Sequence, residues 1–152
     1  MIEHPMERRQ VLTLLGALAA AGMVFPRMAL ANWDKAAFEA RTMDEALKAL
    51  GAGTPATGGD VQIIASDIAE NGAVVPVQAV SKLPNTERIA ILVEKNPSML
   101  AGSFDIAADT IPDVTARIKM GQTSNVHVLV KADGKFYTAS KEIKVTLGGC
   151  GG

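Results

Sequence analysis

The stretch Val126-His127-Val128-Leu129-Val130-Lys131-Ala132-Asp133-Gly134-Lys135-Phe136-Tyr137-Thr138-Ala139-Ser140 decides the fold class. Two runs rich in β-branched and aromatic residues flank the dipeptide Asp133-Gly134. A two-residue turn that reverses a right-twisted strand needs positive φ at its centre, and Asp-Gly tolerates that conformation at little cost. The stretch therefore predicts a tight antiparallel hairpin. On either side, apolar residues recur with period two. Val114, Ala116, Ile118 and Met120 alternate with Thr115, Arg117 and Lys119. Ile143, Val145 and Leu147 alternate with Glu142, Lys144 and Thr146. Each set describes a strand with one dry face and one wet face.

Further strands are expected over residues 61–65, 74–81, 89–94 and 100–106, with turns marked by Asn71-Gly72 and Asn96-Pro97. Seven or eight short strands, spaced by turns, predict an immunoglobulin-like antiparallel β-sandwich. Residues 74–80 and 89–93 are apolar on both faces. Two readings stay open for them: a central strand covered on both sides, or a surface that docks a partner chain. Ahead of the strands, residues 32–50 read as helix in one or two pieces. Phe38, Met43, Ala46, Leu47 and Leu50 make the apolar stripe, and Thr42-Met43-Asp44-Glu45 fits a capping box. Residues 51–60, with four glycines and Pro55, read as loop.

The first 31 residues read as a cleaved signal, not as part of the fold. Arg8-Arg9 precedes an apolar stretch from Val11 to Phe25, and Ala29-Leu30-Ala31 fits a signal-peptidase site, with the cut between Ala31 and Asn32. The paired arginines point to the twin-arginine route into the periplasm, and Arg27 fits that route too. Glu7, Val11 and Thr13 depart from its commonest flanking residues. The apolar run is shorter than the ~20 residues of a membrane-spanning helix, so no stable membrane anchor is expected. Loss of Arg8, Arg9 and Arg27 with Glu3 and Glu7 turns 15 basic and 16 acidic residues into 12 and 14, a net charge of −2. Such a chain has no basic field for nucleic acid.

The sequence closes on Gly148-Gly149-Cys150-Gly151-Gly152, and Cys150 is its only cysteine. Glycines on both sides predict a slim, flexible arm that presents the thiol outward rather than packing it. A solitary cysteine has no internal disulfide partner and no set of fellow ligands for a metal. The rest of the chain supplies no catalytic constellation. His127 stands alone on a strand. Asp105, Asp109 and Asp113 read as solvated turn residues rather than a Ca²⁺ loop. No nucleophile elbow, phosphate loop, zinc spacing or dinucleotide fingerprint appears. A free thiol titrates near ~8.5, so activation must come from whatever enzyme receives the arm. Residues 147–150 span roughly 10 Å when extended, enough to enter a pocket while the folded domain stays outside. This layout suits a covalent carrier, much as other group carriers pass cargo between enzymes.

The Gly-Gly-Cys-Gly-Gly terminus, the paired-arginine signal and the β-rich domain closely resemble the SoxY family, sulfur carriers of periplasmic thiosulfate oxidation. Ile68-Ala69-Glu70-Asn71-Gly72, the Asn96-Pro97 turn, Thr115-Ala116-Arg117-Ile118 and Val145-Thr146-Leu147 support the resemblance. It implies a heterodimer with SoxZ, a second β-sandwich subunit exported together with this chain. It implies transient docking with the c-type haem enzyme SoxAX, the manganese-dependent hydrolase SoxB and, where present, the sulfane dehydrogenase SoxCD. Cys150 would hold the S-thiosulfonate and later sulfur intermediates, with no other cofactor, and the chain would be the enzymes' substrate rather than an enzyme. The expected organisation is signal 1–31, helical segment and loop 32–60, sandwich 61–147 and carrier arm 148–152. Two other functions stay open on the residues alone: a periplasmic β-sandwich binding module tethered through its tail thiol, and a thiol-redox shuttle, for which the missing second cysteine is a handicap.

Overall fold

The computed structural model describes residues 34–58 and 60–146. Among the described residues two short helices come first, α1 (Lys35–Glu39) and α2 (Met43–Ala49). Asp34 caps α1 by accepting from the Ala37 N–H at 3.2 Å. Between the helices Ala40 turns extended, which ends α1 and lets Thr42 restart the chain as α2. Thr42 Oγ1 accepts from the Glu45 N–H, and the Glu45 carboxylate accepts in return from the Thr42 and Arg41 N–H groups at 3.3 and 3.0 Å. The capping box expected from the sequence is formed, and it satisfies donors that the first helical turn leaves without partners.

Nine strands follow: β1 (Ala56–Thr57), β2 (Val61–Ile64), β3 (Ile68–Ala69), β4 (Val75–Ser81), β5 (Thr86–Val93), β6 (Leu100–Asp105), β7 (Asp113–Ile118), β8 (Ser124–Ala132) and β9 (Lys135–Val145). They form two sheets. The larger has the order β1-β9-β8-β5-β6, with β3 also on β9, and the smaller has the order β2-β4-β7. β8 and β9 pair from Ala132↔Lys135 at the hairpin to Ser124↔Ile143 at the far end. Asp133 (φ 49°) and Gly134 (φ 69°) adopt the positive φ that the tight turn demands. Asn85, also left-handed at φ 50°, donates from Nδ2 to Asp133 Oδ1 at 2.8 Å and ties the β4–β5 turn to the hairpin.

The sheets face each other over one core. Val75, Val77 and Ala79 of β4 meet Ile89, Ile91 and Val93 of β5, Val126, Val128 and Val130 of β8 and Ile143 of β9. A second apolar cluster lies on the other face of the larger sheet. There Ala90, Leu92, Leu100 and Leu129 pack under Ala37, Ala40, Ala46 and Leu50 from the helices and the turn after them. The fold is thus an immunoglobulin-like antiparallel β-sandwich with helices laid on one outer face. Both doubly apolar segments are resolved by these layers. β5 is central, with Ile91 under the opposing sheet and Leu92 under the helices, both fully buried. β4 buries only its odd-numbered side chains, so Val74 and Pro76 stay exposed.

Three sequence expectations need correction. Residues 135–145 form one strand, not two, because Lys141 continues the inward-facing series of Tyr137, Ala139 and Ile143. Its ammonium reaches the edge of the sandwich, donating to the Ala65 carbonyl at 2.5 Å and pairing with Asp67 at 2.9 Å, so a charge at an inward position does not break the strand. The loop expected over 51–60 contains β1, parallel to β9 through Ala56↔Tyr137 and Thr57↔Thr138. Ile68–Ala69 is likewise a strand, paired in parallel with Lys144 and Val145.

Candidate functional site

The expected carrier thiol Cys150 and its glycines Gly148, Gly149, Gly151 and Gly152 lie outside the described residues, as do Arg8, Arg9, Ala31 and Asn32 of the expected signal. What the structure defines is the mount from which the terminal segment departs. Thr146, its last described residue, is four positions before Cys150.

β9 outruns its neighbour. The β8–β9 ladder stops at Ser124↔Ile143, which leaves Lys144, Val145 and Thr146 beyond the last β8 partner. A strand end in that position ordinarily frays, because its N–H groups face water instead of acceptors. Here all three donors are met. On one side the Lys144 N–H donates to the Asp67 carbonyl at 2.9 Å and the Thr146 N–H to the Ala69 carbonyl at 3.1 Å, both from the β3 segment. On the other side the Val145 N–H donates to Thr123 Oγ1 at 3.0 Å. A side-chain hydroxyl thus takes the place of the backbone acceptor that β8 no longer supplies.

The loop after β3 is seated against this end. Asn71 makes an Asx turn, its Oδ1 accepting from the Ala73 N–H at 2.9 Å, and its carbonyl accepts from Val74. Gly72 follows, and its carbonyl accepts from the Met120 N–H at 2.7 Å. A Cβ at Gly72 would sit 2.3 Å from the Met120 carbonyl oxygen and 2.9 Å from Val145 Cγ1. Glycine is required there by close approach, not by an unusual φ. Asn96 closes the mount from the β5–β6 turn, donating to the Lys119 carbonyl at 2.7 Å and accepting from the Gly121 N–H at 3.4 Å.

The electrostatics nearby are those of paired surface charges. The Lys141 ammonium, by hydrogen bond and by charge, holds the Asp67 carboxyl below its ordinary pKa, and Lys144 adds to the effect. On the helix-bearing face, Asn125 donates to Glu94 at 2.8 Å and is the main cause of a lowered Glu94 pKa. His127 Nε2 stands 3.7 Å from the same carboxylate and has no hydrogen-bond partner. Glu94 is a single neighbour, and the described residues hold no group of three metal-ligating side chains. Asp105 pairs with Arg88 at 2.6 Å and Asp113 accepts from Gln78, so the spaced aspartates are not brought together on a common ligand. A shallow hollow lined by Leu83, Thr86, Ile106 and Pro112 lies at the hairpin end of the sandwich, away from the mount.

Sequence reasoning singled out Asn71-Gly72 and Asn96 as turns, and the motif around Ile68 through the family resemblance, without the contact that joins them. It missed Thr123. Nothing in Gly121-Gln122-Thr123-Ser124 distinguishes a hydroxyl that caps a distant strand from one that faces water.

A family model described as the sulfur oxidation protein SoxY matches residues 46–150. Among solved structures the chain is similar to the sulfur carrier protein SoxY from Chlorobium limicola f thiosulfatophilum, at 39% identity, a TM-score of 0.63, and coverage of 72% of this chain and 96% of that one. It is also similar to superoxide reductase (neelaredoxin) from Ignicoccus hospitalis, at 20% identity and a TM-score of 0.51, over 57% of this chain and 80% of that one. That second likeness is one of fold alone. No curated protein matches the chain.

Proposed function

The chain belongs to the SoxY family, and on that premise we propose that it holds thiosulfate-derived sulfur on Cys150 and presents it to the enzymes of periplasmic thiosulfate oxidation. The observation that carries the reading is the Gly-Gly-Cys-Gly-Gly terminus placed directly after a strand end that is hydrogen-bonded to its last described residue. A thiol on a thin tether leaving a fixed point serves delivery and has no use in a packed core.

The chemistry balances as follows. The Cys150 sulfur bonds to the sulfane sulfur of thiosulfate, the thiol proton leaves, and two electrons pass to an oxidant, the c-type haem centre of SoxAX. Water then attacks the outer sulfonate sulfur in SoxB. The bond between sulfane and sulfonate sulfurs breaks, sulfate and a proton depart, and a persulfide remains on Cys150 with no change in electron count. Where SoxCD is present, that sulfur loses six electrons to it and gains three oxygens from water, and a further water then releases the resulting sulfonate as sulfate and returns the Cys150 thiol. None of these steps draws a catalytic group from the sandwich, so the chain acts as a carrier and not as an enzyme. Export through the twin-arginine route fits a subunit that leaves the cytoplasm already folded against SoxZ, which lacks a signal of its own.

Intact mass spectrometry of the chain from thiosulfate-fed cells, with and without reductant, tests this. The expected result is a reductant-sensitive set of additions, thiosulfate and extra sulfur, mapped to Cys150 and absent from Cys150→Ser. A bare thiol throughout, or one fixed protein conjugate that never turns over, would point instead to a tethered binding module.

A further inference from the structure

We propose that Thr123 and Gly72 are positioning residues that set the length of the carrier arm by holding β9 in place to Thr146. The inference rests on the carrier reading of Cys150. It starts from donors that ought to be loose. Lys144, Val145 and Thr146 lie past the end of the β8 ladder, yet their N–H groups are bound to Asp67, Thr123 and Ala69. Thr123 is the sole side chain in that set, standing in for an absent backbone acceptor. Gly72 lets the loop from β3 come within contact of both Met120 and Val145, so the β3 side of the pairing cannot drift away.

The consequence is a short tether. With β9 held to Thr146, the arm up to the thiol is residues 147–150. If residues 144–146 come free, the tether grows from about four residues to about seven. The local concentration of a tethered group falls roughly as the −3/2 power of tether length, so the thiol is diluted about twofold at a docked active site. On the carrier reading, docking falls to the folded sandwich and loading to the tethered thiol. A loosened mount should therefore lower the maximal rate of sulfur loading and leave the half-saturating carrier concentration alone.

The test uses the full chain, Thr123→Val and Thr123→Ser. Valine keeps the shape and removes the acceptor, and serine restores it. Amide hydrogen exchange is followed at Val145, with Val128 and Val130 as references in the core. Loading is followed by intact mass with thiosulfate and a periplasmic extract of thiosulfate-grown cells lacking their own copy of this chain, over a range of carrier concentrations. For Thr123→Val we expect exchange at Val145 about tenfold faster with the core amides unchanged. Maximal loading should fall, by at most about twofold because the β3 bonds to Lys144 and Thr146 remain, at an unchanged half-saturating concentration. Thr123→Ser should restore both values. Unchanged exchange at Val145, or faster exchange with unchanged loading, overturns the inference and leaves the carrier reading standing. A wild-type chain that takes up no sulfur overturns the carrier reading and the inference together.

Discussion

Replacing Gly72 with alanine puts a single methyl group where the structure has no room. The added Cβ lands 2.3 Å from the Met120 carbonyl oxygen, while ordinary contact begins near 3.4 Å, and it lies 2.9 Å from Val145 Cγ1. The nearer obstacle is backbone, so no side-chain rotation relieves it. The turn must back away by about an ångström, and that displacement loosens the Met120 N–H bond to the Gly72 carbonyl, now 2.7 Å long. Overpacking of this kind costs about 1–3 kcal/mol and the hydrogen bond about 1 kcal/mol. Against this, alanine narrows the unfolded ensemble and returns about 0.4–1 kcal/mol, because Gly72 is not in the left-handed region. The net expectation is a loss of about 2–3 kcal/mol, read as a urea midpoint about 1 M lower and a Tm roughly 10 °C lower. Gly121→Ala is the matched control: it sits in the loop that meets Gly72, has no atom within 4 Å of its would-be Cβ, and should stay within about 0.5 kcal/mol of wild type. Equal costs for the two variants, or a Gly72→Ala protein as stable as wild type, would refute the close-approach argument.

Three other perturbations separate the layers of the fold. Leu92→Ala opens a void between the larger sheet and the helices and should cost about 2–5 kcal/mol in urea unfolding, since Leu92 is fully buried there; a cost below ~1 kcal/mol would mean that the helices do not cover β5. Lys141→Met removes the hydrogen bond and charge that hold Asp67 down, so the Asp67 carboxyl should titrate back toward its ordinary pKa in an NMR pH series, and an unmoved titration would deny the pairing. Glu45, Asp67, Glu87 and Glu94 all have lowered pKa values in the folded chain. Their stabilising effect is therefore complete above the usual carboxylate range and is lost as pH falls through their folded values. Melting curves should show a Tm that is flat near neutrality and declines below about pH 4, and a Tm that rises on acidification would contradict the sign.

What the sequence showed plainly was what local chemistry decides. Asp133-Gly134 needs no distant partner to declare a tight turn, and Thr42 and Glu45 carry both halves of their capping box within one helical turn. The lone cysteine among four glycines was equally plain as a feature of composition, and the carrier role read from it rests on the family rather than on the described residues. The errors came where a pairing spans the chain. β1 and β3 are two residues each and exist only because β9, about eighty residues later, offers its edges. β9 looked broken because Ser140-Lys141-Glu142 is polar, and the acceptors that make Lys141 tolerable at an inward position lie at Ala65 and Asp67. The doubly apolar segments could not be ranked from periodicity, since burial under helices and exposure to solvent leave the same hydrophobic pattern.

The two ends of the sandwich share backbone ties but add different ones to them. At the hairpin end the Asp133 and Ile106 N–H groups donate to the Asn85 and Glu87 carbonyls, and side-chain pairs are added on the surface: Lys131 with Glu87, Arg88 with Asp105 and Asn85 with Asp133. Pairs of that kind are worth little each and yield to salt. At the arm end the backbone bonds are joined by the Lys141–Asp67 pair, the Asn96 amide, one hydroxyl that replaces a missing strand, and a glycine forced by close approach. A strand that merely ended in solvent would have no need of them, because its last residues could fray at no cost to the core. A strand that carries a tether does need them. Each residue that frays adds about 3.3–3.6 Å of slack and dilutes the tethered group. On the carrier reading proposed above, the bonds that hold β9 to Thr146 would keep the thiol of Cys150 concentrated at a docked active site.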